Sequence, residues 1–197
     1  MNKEIERKYS IDEIPNNIKI SQIIDIEQAI IYKDCNTIIR IRKINNRKNQ
    51  TTQYVYTIKT KGDIQYEYDS DIGKKYEIEN NILEKEYEEL IQRKISNIIR
   101  KTRIDIPIEN CLKVEIDIYY EYLEGLVTAE VEFPNEEMAK TFNKPNWLGE
   151  ELGYKEFSNR KLAEMNKEQF RSKVTEEFME RNKFVINKLE ELIEKSY

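Results

Sequence analysis

The sequence contains no histidine, and this absence narrows the chemistry that the chain can perform. It excludes Ser-His-Asp and Cys-His nucleophilic schemes, histidine general bases and histidine-ligated zinc. Catalysis must then use carboxylates, lysine, arginine, tyrosine or a metal that prefers oxygen ligands. Glycine is also scarce, with five residues, and neither GxGxxG nor GxxxxGK[ST] occurs. We therefore expect no glycine-rich phosphate loop.

Cysteine and long apolar runs are equally sparse. Cys35 and Cys111 are widely separated and lack CxxC spacing, which favours reduced thiols and a cytoplasmic location. No apolar run approaches the roughly 18 residues that a membrane span needs, and the N-terminal residues lack a signal-peptide pattern. The sequence therefore predicts a cytoplasmic protein without a membrane partner.

Charge is abundant but carries no strong net sign. Charged residues make up 36% of the 197 residues, and the net charge is −5. A mildly acidic chain has no overall positive field to attract nucleic acid, so we expect no nucleic-acid partner. Any anion must be bound by local clusters of lysine and arginine. The length fits one substantial core and one domain.

Short runs rich in β-branched and aromatic residues predict nine strands, over roughly 3–9, 23–32, 37–43, 53–61, 64–69, 76–80, 98–106, 112–121 and 126–133. Apolar residues at helical spacing predict one helix from Ile82 to Lys94. They also predict a long amphipathic helix from about Glu168 to Ser196, broken near Arg181-Asn182. Asn135 predicts the start of a further helix.

The first strand carries an unusual alternation of charge. Glu4, Glu6 and Lys8 fall on one face, and Ile5 and Tyr9 lie on the other, because successive side chains of a strand point to opposite faces. A row of charges on one strand face is costly unless that face is wet or filled by ions. The first strand by itself fits an ordinary solvated edge.

The same alternation recurs on six further strands, where acids pair with acids and bases with bases. Half-exposed antiparallel strands also alternate, but an ordinary wet face would include more neutral polar residues and would scatter the charge signs. The acids are Glu4, Glu6, Glu77, Glu79, Glu115, Asp117, Glu130 and Glu132. The bases are Lys8, Arg40, Arg42, Lys59, Lys101 and Arg103.

If these faces converge inside a closed barrel, its interior is polar and nearly balanced in charge. Carboxylates a few Å apart cannot all ionise cheaply, and a divalent cation removes their repulsion. Six facing cations would bind a strongly anionic ligand. A polyphosphate that chelates Mg²⁺ or Mn²⁺ fits both requirements, because those ions prefer carboxylate and phosphate oxygens.

The order of these motifs resembles the CYTH family, the triphosphate tunnel metalloenzymes. The N-terminal Glu-x-Glu-x-Lys is followed by Arg40-Ile-Arg42, Thr57-Ile-Lys59, Glu77-Ile-Glu79, Lys101-Thr-Arg103, Glu115-Ile-Asp117 and Ala129-Glu-Val-Glu132. Trp147-Leu-Gly149, Phe157-Ser-Asn159 and Leu162-Ala163 resemble a segment of the short bacterial inorganic triphosphatases. The resemblance spans residues 1 to about 163.

The resemblance implies an α+β fold, an eight-stranded antiparallel barrel with helices packed outside. We expect one such tunnel domain over 1–197, with 164–197 as its C-terminal helical extension, as a monomer or homodimer. The implied substrate is tripolyphosphate or another small triphosphate, hydrolysed with one or two Mg²⁺ or Mn²⁺ ions. An ATP cyclase, a thiamine or nucleoside triphosphatase and a non-enzymatic polyphosphate-binding module stay open as alternatives.

The resemblance also assigns roles to the charged residues. The predicted catalytic residues are Glu4, Glu6, Lys8, Arg40, Arg42 and Lys59. The predicted substrate-binding residues are Lys8, Arg40, Arg42, Lys59, Lys101 and Arg103. The predicted metal ligands are Glu4, Glu6, Glu77, Glu79, Glu115, Asp117, Glu130 and Glu132.

Overall fold

The computed structural model describes residues 2–60, 73–153 and 156–195, without the side chains of residues 2–4 and 73–76. Nine strands occur in these ranges: β1 (Asn2–Ile11), β2 (Gln22–Lys33), β3 (Thr37–Asn46), β4 (Thr51–Thr60), β5 (Gly73–Asn81), β6 (Ile99–Pro107), β7 (Lys113–Tyr119), β8 (Val127–Glu132) and β9 (Leu148–Glu151). Five helices accompany them: α1 (Glu84–Ile91), α2 (Glu136–Thr141), α3 (Asn159–Glu164), α4 (Lys167–Arg171) and α5 (Glu176–Glu194).

All nine strands form one antiparallel sheet in the order β5-β4-β3-β2-β6-β7-β8-β1-β9. A further pairing between β5 and β1 curls the sheet back on itself, so β1 to β8 surround a channel. Strand β1 pairs with β5 over residues 2–6, with β8 over 6–9 and with β9 near its end. The predicted α+β fold with an eight-stranded barrel-like channel is confirmed.

Apolar side chains of β7 and β8 point outward and are covered by helix α5, which inverts the usual arrangement of a small barrel. Ile116 and Ile118 of β7 and Val131 of β8 share a buried cluster with Val185 and Leu189 of α5. Because side chains alternate along each strand, this outward apolar packing turns the charged side chains toward the channel. A second buried cluster packs around Phe170 of α4.

The C-terminal helix α5 is fixed to the sheet at the turn before β8. Gly125 has a φ of +89°, and an added Cβ there would lie 2.2 Å from the Met179 side chain. The Asn182 side chain, which is fully buried, donates a hydrogen bond to the Gly125 carbonyl over 3.0 Å. The turn therefore needs glycine for its backbone conformation, and the flexible end of the Met179 side chain would have to move to admit any larger residue.

The predicted break near Arg181-Asn182 is wrong, because α5 is continuous from Glu176 to Glu194. The interruption lies earlier, between α4 and α5, where the Thr175 side chain caps α5 by accepting a hydrogen bond from the Phe178 amide. The helix start at Asn135 is confirmed by its cap on Met138. Strand β9 and helix α3 had no predicted counterpart, and the predicted strand 64–69 lies outside the described residues.

Of the helices in the described ranges, none has both the length and the apolar composition that crossing a membrane requires. The arrangement of 1–197 as a single domain, with 164–197 as its extension, stays a prediction.

Candidate active site

The channel contains a cavity of about 270 Å³ whose wall is rich in charge. Eleven of the predicted site residues line it: Glu6, Arg40, Arg42, Lys59, Glu77, Glu79, Lys101, Arg103, Glu115, Glu130 and Glu132. The sheet therefore brings together side chains from β1, β3, β4, β5, β6, β7 and β8. Lys8 and Asp117 lie immediately behind this wall, and the Glu4 side chain lies outside the described part of the chain.

Asp117 is the centre of a buried cluster of charge on β6 and β7. Its carboxylate is fully buried, accepts two hydrogen bonds from Arg103 over 2.7 and 2.8 Å, and lies 2.5 Å from the Lys101 ammonium. Arg103 also contacts Glu130 at 3.0 Å and pairs with Glu115. Two-point contacts of this kind fix the plane of a guanidinium group. The cluster therefore holds Lys101 and Arg103 in place before any ligand binds.

Burial and charge move the pKa values of this cluster in different directions. Burial alone would raise the pKa of Asp117, but Arg103 and Lys101 outweigh it and lower that pKa. Burial and the neighbouring Arg103 lower the pKa of Lys101 to about 8. Arg103 contributes to both results, because a second cation on the same carboxylate favours ionised Asp117 and repels charge on Lys101, while burial is the larger cause for Lys101.

Lys8 is almost completely buried, and its ammonium contacts a carboxylate and a backbone carbonyl. Its ammonium lies 2.7 Å from Glu130 and donates a hydrogen bond over 2.8 Å to the Phe157 carbonyl. Burial would lower the pKa of Lys8, but the Glu130 carboxylate outweighs it and raises that pKa. Lys8, with Arg103 and Lys101, likewise lowers the pKa of Glu130 against the opposing effect of burial. Lys8 and Glu130 are thus both ionised at neutral pH.

The opposite side, on β3 to β5, is less tightly paired. Glu77 lies 3.5 Å from Arg40 and 3.6 Å from Lys59. Arg42 contacts Glu79 and donates a hydrogen bond over 3.2 Å to the Thr57 hydroxyl. Within the described residues, the Nε groups of Arg40 and Arg42 are buried without a hydrogen-bond partner. Burial and the charge of Arg40 lower the pKa of Arg42 to about 10.

The amino-acid sequence of this chain is similar to those of two triphosphatases. An inorganic triphosphatase from Acetivibrio thermocellus is 28% identical over 152 residues, which cover 77% of this chain and 86% of the relative. One from Nitrosomonas europaea is 27% identical over 162 residues, covering 81% and 96%. This chain is similar to inorganic triphosphatases. No family model matches it.

The fold leads to the same group of proteins. The crystal structure of an inorganic triphosphatase matches this one with a TM-score of 0.55 at 27% identity, over 83% of this chain and 95% of the matched chain. The resemblance to triphosphate tunnel metalloenzymes is thereby confirmed.

The acids of the triphosphatase-like channel have the chemistry that a divalent metal requires. Glu6 lies directly opposite Glu132 in the pairing of β1 with β8, and Glu115 lies opposite Glu130 in the pairing of β7 with β8. Like charges in these positions destabilise a sheet, and a divalent ion with oxygen ligands removes the repulsion. In the described ranges no three such side chains are assembled as a metal cage, since Arg103 and Lys8 lie between the carboxylates. The carboxylate oxygens are nevertheless the type of ligand that hard divalent ions prefer.

Sequence reasoning missed the part of the cavity wall that helix α3 supplies. Ser158, Asn159, Arg160 and Ala163 line the cavity beside the predicted charges. Ser158 caps α3 by accepting a hydrogen bond from the Lys161 amide. The available signal was this Ser-Asn cap, but a six-residue helix has too few positions for a periodic pattern. Several apolar side chains complete the wall, namely Ile26, Ala29, Ile30 and Ile38.

Proposed function

We propose that this chain hydrolyses inorganic triphosphate to pyrophosphate and phosphate in the channel, with one or two Mg²⁺ or Mn²⁺ ions. The observation that carries the proposal is the convergence of five cations on one enclosed wall: Arg40, Arg42, Lys59, Lys101 and Arg103. The two relatives named as inorganic triphosphatases support inorganic triphosphate as the substrate.

The arginines of β3 supply the donors that a phosphate chain requires. The buried Nε groups of Arg40 and Arg42 have no partner within the described residues, and an unpaired buried donor costs free energy. A small shift of each guanidinium toward a phosphate would satisfy these donors, because guanidinium and phosphate oxygens match in two-point geometry. Lys59 adds a third cation on the same side.

Lys101 and Arg103 act from the opposite side as fixed groups. Their contacts with Asp117 orient them before the substrate enters, so little reorganisation is needed as charge develops on the phosphate oxygens. Lys8 orients Glu130 in the same way. Enclosure by eight strands and α3 keeps bulk water away from these groups, which strengthens their electrostatic effect.

The carboxylates would hold the metal. We assign one ion to Glu4, Glu6, Glu130 and Glu132, and a second to Glu77 and Glu79, with Glu115 near Arg103. Asp117, which the sequence also predicted as a ligand, has both oxygens held by Lys101 and Arg103. A bound divalent ion supplies charge neutralisation and a more acidic water as nucleophile. A channel carboxylate could accept the proton of that water.

One assay tests the proposed function. Purified protein is incubated with tripolyphosphate, ATP or thiamine triphosphate, each with Mg²⁺, Mn²⁺ or a chelator, and the products are identified by ³¹P NMR. We expect phosphate and pyrophosphate from tripolyphosphate, in the metal-containing samples alone. Arg40→Met should abolish most of this turnover, whereas Arg93→Met, at an exposed position outside the channel, serves as the matched control.

Other products would overturn the proposal in distinct ways. Cyclic AMP from ATP would indicate a cyclase, and a marked preference for thiamine triphosphate or ATP would indicate hydrolysis of organic triphosphates. Binding without turnover would indicate a polyphosphate-binding module.

A further inference from the structure

We propose that Arg160 is a further triphosphate contact, which grips a phosphate group where helix α3 forms part of the cavity wall. This inference rests on the proposed function and adds a substrate-binding residue that the alternating strands did not predict.

The position of Arg160 is fixed by contacts on both sides of it. Arg160 lines the cavity together with its neighbours Ser158 and Asn159. The Lys8 ammonium holds the carbonyl of Phe157 over 2.8 Å, and the Tyr119 hydroxyl donates to the Asn159 side chain over 3.0 Å. Both hydrogen bonds are donated by strand residues of the channel. They therefore hold the residues immediately before Arg160 against the predicted site.

The charge around Arg160 is not balanced. Its Nε lies 3.5 Å from Glu164, one turn later on α3, and the same carboxylate oxygen is in closer contact with the Lys33 ammonium. Two cations therefore share one carboxylate, which leaves an excess of positive charge at this part of the wall. An anion in the cavity would be attracted to that excess.

Release of Arg160 from Glu164 costs little. The Arg160 side chain is 38% exposed, and a partly exposed ion pair at this distance contributes little to stability. Glu164 keeps Lys33 as its partner when Arg160 turns away. Arg103, by contrast, is held by three carboxylates, of which two lie in the wall and that of Asp117 lies behind it. Arg160 is therefore well suited to close on a ligand after it enters.

Binding and turnover are measured together, so that this inference and the proposed function can fail separately. Tripolyphosphate is titrated by calorimetry into the full chain with a chelator present, and hydrolysis is measured with Mg²⁺. We expect Arg160→Met to weaken binding and raise KM about tenfold, the effect of one lost charge-assisted contact. Lys161 is the exposed neighbour on the same helix. For Lys161→Met, both the dissociation constant and KM for tripolyphosphate should stay within about twofold of the values of the parent protein.

A substitution at Glu164 tests the direction of the effect. Glu164→Gln removes the competing carboxylate and should tighten tripolyphosphate binding in the parent background. The same substitution should have no effect on binding when Arg160 is already methionine. If α3 does not fold with methionine at position 160, as judged by thermal unfolding, Arg160→Lys keeps the charge without the two-point contact and should weaken binding about threefold.

Each result decides a different question. Equal KM values for Arg160→Met and Lys161→Met in an active enzyme would overturn the Arg160 assignment and leave the proposed function standing. If the protein binds tripolyphosphate through Arg160 but does not hydrolyse it, the Arg160 contact is supported and the proposed hydrolase function is overturned. No tripolyphosphate binding by the parent protein, either with the chelator or with Mg²⁺, together with no turnover, would overturn both.

Discussion

The two sides of the channel carry similar charges but hold them differently. On the buried side, defined by Lys8, Lys101, Arg103, Asp117 and Glu130, exposed fractions of the side chains run from 0 to 15% and the contacts of Asp117 run from 2.5 to 2.8 Å.

The open side is defined by Arg40, Arg42, Lys59, Glu77 and Glu79, with exposed fractions from 14 to 46%. There the contacts of Glu77 are 3.5 and 3.6 Å, and two arginine Nε groups have no partner within the described residues. The comparison indicates two different roles. The buried side holds its charges in fixed positions, as an electrostatic frame, and the open side rearranges around the ligand.

The largest expected effect is on stability, from loss of the carboxylate at the centre of the buried side. Asp117→Ala leaves Lys101 and Arg103 buried with too little negative charge, so we expect the free energy of unfolding to fall by about 3–5 kcal/mol. Urea denaturation measures this change, with Glu88→Ala on the exposed face of α1 as the control. A loss below about 1 kcal/mol, the range of an exposed ion pair, would contradict the idea of a fixed frame.

The open side should show the opposite balance between stability and activity. Arg42→Met removes a phosphate donor whose own protein contacts are incomplete, so we expect kcat/KM for tripolyphosphate to fall about a hundredfold. The unfolding midpoint should change little. Steady-state kinetics and thermal unfolding on the same preparation give both values. A large loss of stability with normal kinetics would instead show that Arg42 has a structural role, like the residues of the buried side.

The buried side should also be recognisable from its pH dependence. Lys101 has a pKa of about 8 in the folded protein and an ordinary value of 10.5, so the unfolded chain holds more protons between these values. The free energy of unfolding should therefore rise with pH in this window, by at most about 1.4 kcal/mol per pH unit. The difference between the parent protein and Lys101→Met isolates this contribution. A flat difference would show that Lys101 keeps its proton throughout.

The smallest effect is expected from Glu79→Gln on the open side, which is matched with Glu130→Gln on the buried side. Glu79→Gln changes a carboxylate that is 46% exposed, and we expect less than about 0.5 kcal/mol in the free energy of unfolding. Glu130→Gln removes the buried partner of Lys8 and should cost about 3 kcal/mol. If chemical denaturation gave equal losses in the free energy of unfolding for the two variants, the two sides of the channel would not differ in the way described.

Period-two alternation was enough to predict which side chains face the channel. Glu6, Arg42 and Glu132 lie where that pattern put them, because apolar neighbours such as Ile41 and Val131 must point outward into a buried layer. The curled sheet followed from the family resemblance, since alternation alone also fits a flat half-exposed sheet.

Alternation could not predict how deeply a side chain is buried, or which residues far away in the sequence it contacts. Alternation assigns Lys8 to a face, but its position behind the wall depends on Phe157, which is 149 positions away. Arg160 was missed because α3 is short and its contacts come from distant strands. The break near Asn182 was wrong because the buried contact with Gly125 stabilises a polar residue inside the helix.

The bond from Lys8 to Phe157 also has a consequence for how the protein is made. Strand β1 is synthesised well before its partners β5, β8 and β9 and before the Phe157 carbonyl. Until then β1 has unpaired edges and a row of unsatisfied charges, which are hazards for a nascent chain. Synthesis must therefore reach Phe157 before this channel can form, so products truncated before that residue should lack the site altogether.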